Sequence, residues 1–141
     1  MSTRVLGRVT ESSLVKDYQP GSWKYSRTFF VSTSDIHSYG SWSEPKFVNQ
    51  RGIDPSLLFD NGKVYITTQG LNNDIDRFWG IYQSEIDIET GRHLSERKQL
   101  WKGYTFRATN VERPEGPHLY HIGDWYYLLI AEGKCALLIS V

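Results

Sequence analysis

Cysteine is nearly absent from this chain. Cys135 stands alone among 141 residues, so no internal disulfide can form and the redox compartment is left open. An excess of one charge is missing too: 16 basic residues balance 16 acidic ones. That balance leaves no electrostatic footprint for nucleic acid or for an anionic membrane. No apolar run is long enough to span a bilayer as a helix. The first twenty residues, MSTRVLGRVTESSLVKDYQP, lack the apolar stretch of a secretory signal, and they assign no localisation. A convincing long helical pattern is also lacking. The length suits one ordinary domain.

What is present is aromatic. The chain carries 5 Trp, 9 Tyr and 6 Phe. Aromatic and β-branched side chains fit a pleated surface, so the composition favours strands. Short strand-like runs alternate with turn residues, which reads as all-β. Strands are expected within Arg27–Asp35, Tyr39–Val48, Trp79–Leu94 and Lys98–Gly103. Two hairpins stand out. In PSLLFDNGKVYITTQG (Pro55 to Gly70), Asn61-Gly62 supplies the positive φ angles of a tight turn. In RPEGPHLYHIGDWYYLLIAEG (Arg113 to Gly133), Gly123-Asp124 plays the same part.

The two hairpins align. Pro55 matches Pro117, Leu57 matches Leu119, and Val64-Tyr65-Ile66 matches Tyr126-Tyr127-Leu128, at a spacing of 117 − 55 = 62 residues. Two further strand candidates lie between them. A repeating unit of about four strands suggests propeller blades, although the period exceeds the roughly 40–50 residues of common propeller repeats. A β-sandwich is the rival architecture.

Both copies carry a carboxylate where the chain enters the first strand. Asp54 directly precedes Pro55, whereas Glu115 sits between Pro114 and Gly116. In a propeller, equivalent strand ends converge on one mouth. Two carboxylates sharing a partly dry cleft cannot both ionise freely, and the one held protonated suits general acid catalysis. Glycoside hydrolysis is commonly built on such a pair. The plainer reading of Asp54 is a turn former, since Asp before Pro often bonds local backbone. Trp79, Trp125 and Tyr126 are of a type that stacks on sugars, but in a β-rich chain such residues are more often core. His118 and His121 have no evident sequence partner, and neither a metal site nor a cofactor is expected. Asp74 and Asp76 in NNDID make a poor calcium loop, and a solvated loop is the default.

The segments GIDPSLLFDNGKVYITTQG, GIYQSEIDIETG, LWKG and PEGPHLYHIGDWYYLLIAEG, in this order and spacing, resemble the glycoside hydrolases of family 43. That family holds β-xylosidases and α-L-arabinofuranosidases on a five-bladed β-propeller. The resemblance implies an all-β chain of about two to three blades, with residues 27–133 as a partial catalytic propeller. Residues 1–26 would be an unmatched N-terminal segment and 134–141 a divergent tail. It implies an inverting mechanism acting on a xylo- or arabino-oligosaccharide. Glu115 matches the family's general acid, and Asp54 matches the aspartate that tunes and orients it. The family's general base lies upstream of the matched segments, and nothing in Met1 to Ser26 matches it. Asp17 has the wrong setting, and Asp35 and Asp60 are fallback positions. The chain is therefore expected to be an inactive part of a longer enzyme. Self-association through uncovered blade surfaces is also expected. The alternative is a non-catalytic carbohydrate-binding or interaction piece on the same framework.

Overall fold

The computed structural model describes residues 3–10, 26–71, 79–102 and 114–131. Apart from one 3-10 turn at Tyr39–Ser41, every regular element in them is a strand. These are β1 (Thr3–Thr10), β2 (Ser26–Thr33), β3 (Lys46–Val48), β4 (Ile53–Asp60), β5 (Lys63–Leu71), β6 (Trp79–Ile86), β7 (Lys98–Trp101), β8 (Glu115–Ile122) and β9 (Trp125–Ala131). They form three antiparallel sheets in chain order: β1-β2-β3, β4-β5-β6-β7 and β8-β9. The middle sheet is a complete four-stranded meander of the kind that makes a propeller blade. The first strands of the three sheets lie next to one another, with β4 between β1 and β8. The expected strands appear with trimmed ends. β1 was not among them, and it pairs with β2 over eight residues.

Turn chemistry sets each hairpin. Asn61 (φ 48°) and Gly62 (φ 76°) are both left-handed, so a two-residue loop closes between Asp60 and Lys63. Between Ile122 and Trp125 the two-residue loop closes with Gly123 (φ 61°) alone left-handed; Asp124 does not share that conformation, so this turn differs from the Asn61-Gly62 one. The sequence alignment of the hairpins holds in three dimensions. Ile53 pairs Gln69 and Ser56 pairs Thr67; 62 residues on, Glu115 pairs Ala131 and His118 pairs Leu129. Each first strand carries a bulge at the same place, Ile53/Ser56 in one and Glu115/His118 in the other. A bulge bends its strand and re-aims a side chain, and both fall on the segments that carry the acids.

The main core lies between the first two sheets. Phe30 and Val48 face Val64, Ile66 and Ile86, with Leu57 and Ile88 packed on the edge. Phe30 and Ile66 are at most 1% exposed, and burying each contributes about 1.5–3 kcal/mol. The third sheet covers the other face of β4 and β5 with one of its own faces. Its second face is bare: Tyr120, Ile122, Trp125, Tyr127 and Leu129 are all exposed. The expectation that Trp125 belongs to a core is thus corrected, because it stands on this uncovered face at 71% exposure.

Candidate active site

The approach to Asp54 is tightly built. Gly52 (φ 127°) brings β4 so close to β5 that an added Cβ would sit 2.0 Å from the Gln69 carbonyl oxygen. Only glycine fits there. The preceding backbone is fixed by buried hydroxyls. Thr28 Oγ1 donates to the Gln50 carbonyl (3.0 Å), and Thr68 Oγ1 donates to the Arg51 carbonyl (3.1 Å). Gln50 Nε2 in turn donates to Thr68 Oγ1 at 3.0 Å. Beside Gly70, the Arg97 guanidinium lies 3.9 Å from the Tyr82 ring centre and donates to the Leu71 carbonyl at 2.8 Å. Its burial holds the Arg97 pKa below the usual arginine value.

Asp54 itself is left-handed, with φ 50°. That conformation is uncommon outside glycine and is best tolerated by Asn and Asp. At the matching position of the third sheet stands Gly116, φ 58°. The two left-handed residues meet. The Gly116 N–H donates to Asp54 Oδ2 at 3.1 Å, across 62 residues of sequence. The Gly116 carbonyl accepts from His118 Nδ1 at 3.1 Å, so both sides of that residue are held. Glu115, one residue before, is half-buried between Pro114 and Pro117, whose side chains are fully buried. Asp54 and Glu115 are therefore brought together at one end of adjoining sheets. The offset of their sequence positions has a structural basis. The bulge is repeated in strict register, and the carboxylate occupies the left-handed residue in one copy and its predecessor in the next.

A second polar cluster lies at the opposite end of β4. Asp60 Oδ1 accepts from His121 Nδ1 and Oδ2 accepts from the Tyr126 hydroxyl, each at 2.6 Å. The His121 and Tyr126 rings stack at 4.2 Å and 12°. These hydrogen bonds, Tyr126 first and then His121, hold the Asp60 carboxyl below its ordinary 3.8. The same bond pushes the Tyr126 phenol up. The sequence reading left His121 without a partner, and the partner is Asp60, 61 residues away. Asp60 is thereby removed from the site. Asp35 is a turn residue whose Oδ1 accepts from the His37 N–H at 3.0 Å. Asp17, Asp74 and Asp76 lie outside the described residues. Among the described residues no group of three or more His, Cys, Asp or Glu side chains is placed to hold a metal ion. No helix among them is long and apolar enough to cross a membrane.

The left-handed bulge thus recurs in the two sheets, with Asp-Pro in one and Glu-Gly-Pro in the next. The profile of Glycosyl hydrolases family 43 matches residues 15–138. The chain belongs to that family. Over 116 residues it is 38% identical to a beta-xylosidase of Bacillus subtilis, covering 80% of this chain and 20% of that protein. Over 94 residues it is 35% identical to the non-reducing end alpha-L-arabinofuranosidase BoGH43B of Bacteroides ovatus, covering 67% of this chain and 16% of that protein. Among solved structures it is similar to the xylan beta-1,4-xylosidase of Bacillus halodurans. There the TM-score is 0.71 at 26% identity, over 94% of this chain and 24% of that one. The chain thus spans about a fifth of the length of the curated relatives it matches. Its sheets are blades of the five-bladed β-propeller of family 43, about two to three of them.

Proposed function

We propose that this chain supplies the acid half of an inverting family 43 glycosidase, acting on xylo- or arabino-oligosaccharides. Glu115 is the general acid, and Asp54 orients it. The observation that carries this reading is the Gly116 N–H···Asp54 bond, which ties the acid-bearing strand end to the second carboxylate. The relatives named for xylosidase and arabinofuranosidase activity support the substrate class. In the reaction, Glu115 protonates the departing glycosidic oxygen. A carboxylate roughly 6.5–9.5 Å away activates the attacking water on the opposite face of the sugar. We assign that second role to a residue outside those described.

The test is made in a protein of full family length that carries this segment. Glu115→Gln is compared with the parent on xylobiose and on an aryl xyloside with a good leaving group. The xylobiose rate falls by about 10²–10⁴-fold, while the aryl substrate, which needs little protonation, loses much less. Equal loss on both removes Glu115 from the acid role. Full activity of the variant on both likewise removes Glu115 from the acid role.

The bare face of the third sheet carries a second part of the proposal. Tyr120, Ile122, Trp125, Tyr127 and Leu129 form a contiguous apolar surface, and such surfaces mark association sites. We assign it, in the isolated chain, to contact with a second copy.

A further inference from the structure

We propose that Asp60, His121 and Tyr126 form a clasp that fixes how the third sheet sits along β4, and that they thereby act as positioning residues for the Asp54–Gly116 contact. This rests on the proposed acid pair for its functional meaning, but not for its geometry.

β4 and β8 adjoin across the boundary between sheets, and two polar links join them. The near link is Gly116 N–H to Asp54 Oδ2, at 3.1 Å. The far link is the Asp60 cluster, six residues along β4 and therefore roughly 20 Å away. The near link cannot hold the alignment alone. It is a single bond, and Asp54 is exposed, so water competes for its carboxylate.

The far link differs on each count. Both Asp60 oxygens are engaged, each at 2.6 Å, within the short range of charge-assisted bonds. The Asp60 side chain is only 12% exposed. Its two donors are cross-strand partners in the β8–β9 ladder, and their rings stack, so neither moves without the other. Asp60 is itself the closing residue of the Asn61-Gly62 turn, and Asn61 Nδ2 reaches both of its oxygens at 3.3 Å. Lys63, the cross-strand partner of Asp60, is held by Glu85 at 3.0 Å.

A hairpin pinned at one end pivots about that end. Pinned at both, it neither pivots nor slides. A one-residue slip of β8 would reverse every side chain on it, and a smaller tilt would open the gap at Asp54 first, because that end has the weaker bond. The clasp thus acts on the acid pair through the length of two strands.

The test uses residue-resolved hydrogen exchange on the chain itself. Gly116 is the reporter, and Ile66, in the centre of the middle sheet, is the control. Tyr126→Phe keeps the ring stack and removes one bond, and His121→Ala removes the other. In both, the Gly116 amide exchanges about tenfold faster relative to Ile66. His121→Asn, which restores a donor near the Nδ1 position, returns the ratio to within about twofold of the parent. An unchanged Gly116-to-Ile66 ratio overturns the proposal, as does a uniform acceleration of both amides, which signals only a loss of global stability. None of these outcomes depends on the role of Glu115. Coupled amides with a fully active Glu115→Gln would sink the acid assignment and leave the clasp standing.

Discussion

Asp54 and Gly116 occupy the same position in successive copies of one bulged hairpin, and the carboxylate of the first accepts the amide proton of the second at 3.1 Å. The contact joins two sheets at the end where the proposed acid, Glu115, enters β8. Its chemistry follows from backbone conformation. A left-handed residue turns its neighbours outward, and the proline after it allows no further backbone donor.

Substitution at Asp54 separates conformation from charge. Asp54→Asn tolerates φ 50° and keeps an acceptor, so its melting temperature stays near that of the parent. In a family-length protein its turnover falls while the fold persists. Asp54→Val adds a β-branched side chain in the left-handed region and costs about 1–2 kcal/mol. Thermal denaturation ranks the variants, and a Val variant as stable as Asn contradicts the observed backbone.

Acid sensitivity is expected from Asp60. Its folded pKa lies below 3.8, so the stabilisation is present above that value and is lost as pH falls through the folded pKa. Melting temperature therefore declines below about pH 3.8 more steeply in the parent than in Tyr126→Phe, which lacks the leading cause of the shift. Melting curves between pH 5 and 2 read the difference, and parallel slopes would show that the bond contributes nothing.

The core makes a simpler demand. Ile66 is fully buried between Phe30, Val48 and Ile86. Ile66→Ala destabilises by about 2–5 kcal/mol, through lost burial and the cavity left behind. Denaturant titration measures it, and a loss below about 1 kcal/mol would mean that the two sheets are not packed on each other.

Association is tested at the bare face. Sedimentation is expected to show oligomers of the isolated chain that Trp125→Lys with Leu129→Lys reduces to monomer. The same chain is expected to hydrolyse aryl xylosides no faster than buffer, because the water-activating role is assigned to none of the described residues. A monomeric parent with Glu115-dependent turnover removes both expectations.

Much of this was legible in the residues. Asn61-Gly62 and Gly123-Asp124 each announce a tight turn, and the alternating runs around them fix strand, register and repeat. Glu115 stands out because a rigid Pro-x-Gly-Pro frame is a poor setting for an ordinary surface acid, whereas Asp54 before Pro55 reads equally as a turn former, and the family resemblance is what singles it out. β1 is not legible because Gly7, between Leu6 and Arg8, interrupts the alternation that marks a strand. The Asp60 cluster was invisible for a different reason. Its members lie 61 and 66 residues apart, and Asp60 corresponds in the repeat to Ile122 rather than to any polar residue. Periodicity reveals what two copies share. It is silent about contacts that depend on how they differ.

The paired bulges also bear on how such a site can arise. A doubled hairpin begins with identical bends in each copy, and any contact between them starts as like against like. The left-handed bend admits few residues, chiefly Gly, Asn and Asp. The glycine codons ending in a pyrimidine differ from those of aspartate only at the middle base. With glycine at both bends, a single base change at position 54 would convert two equivalent bends into an acceptor and a donor. Symmetry breaking within a duplicated unit thus reaches a specific cross-blade bond in one mutational step, with no change in backbone required.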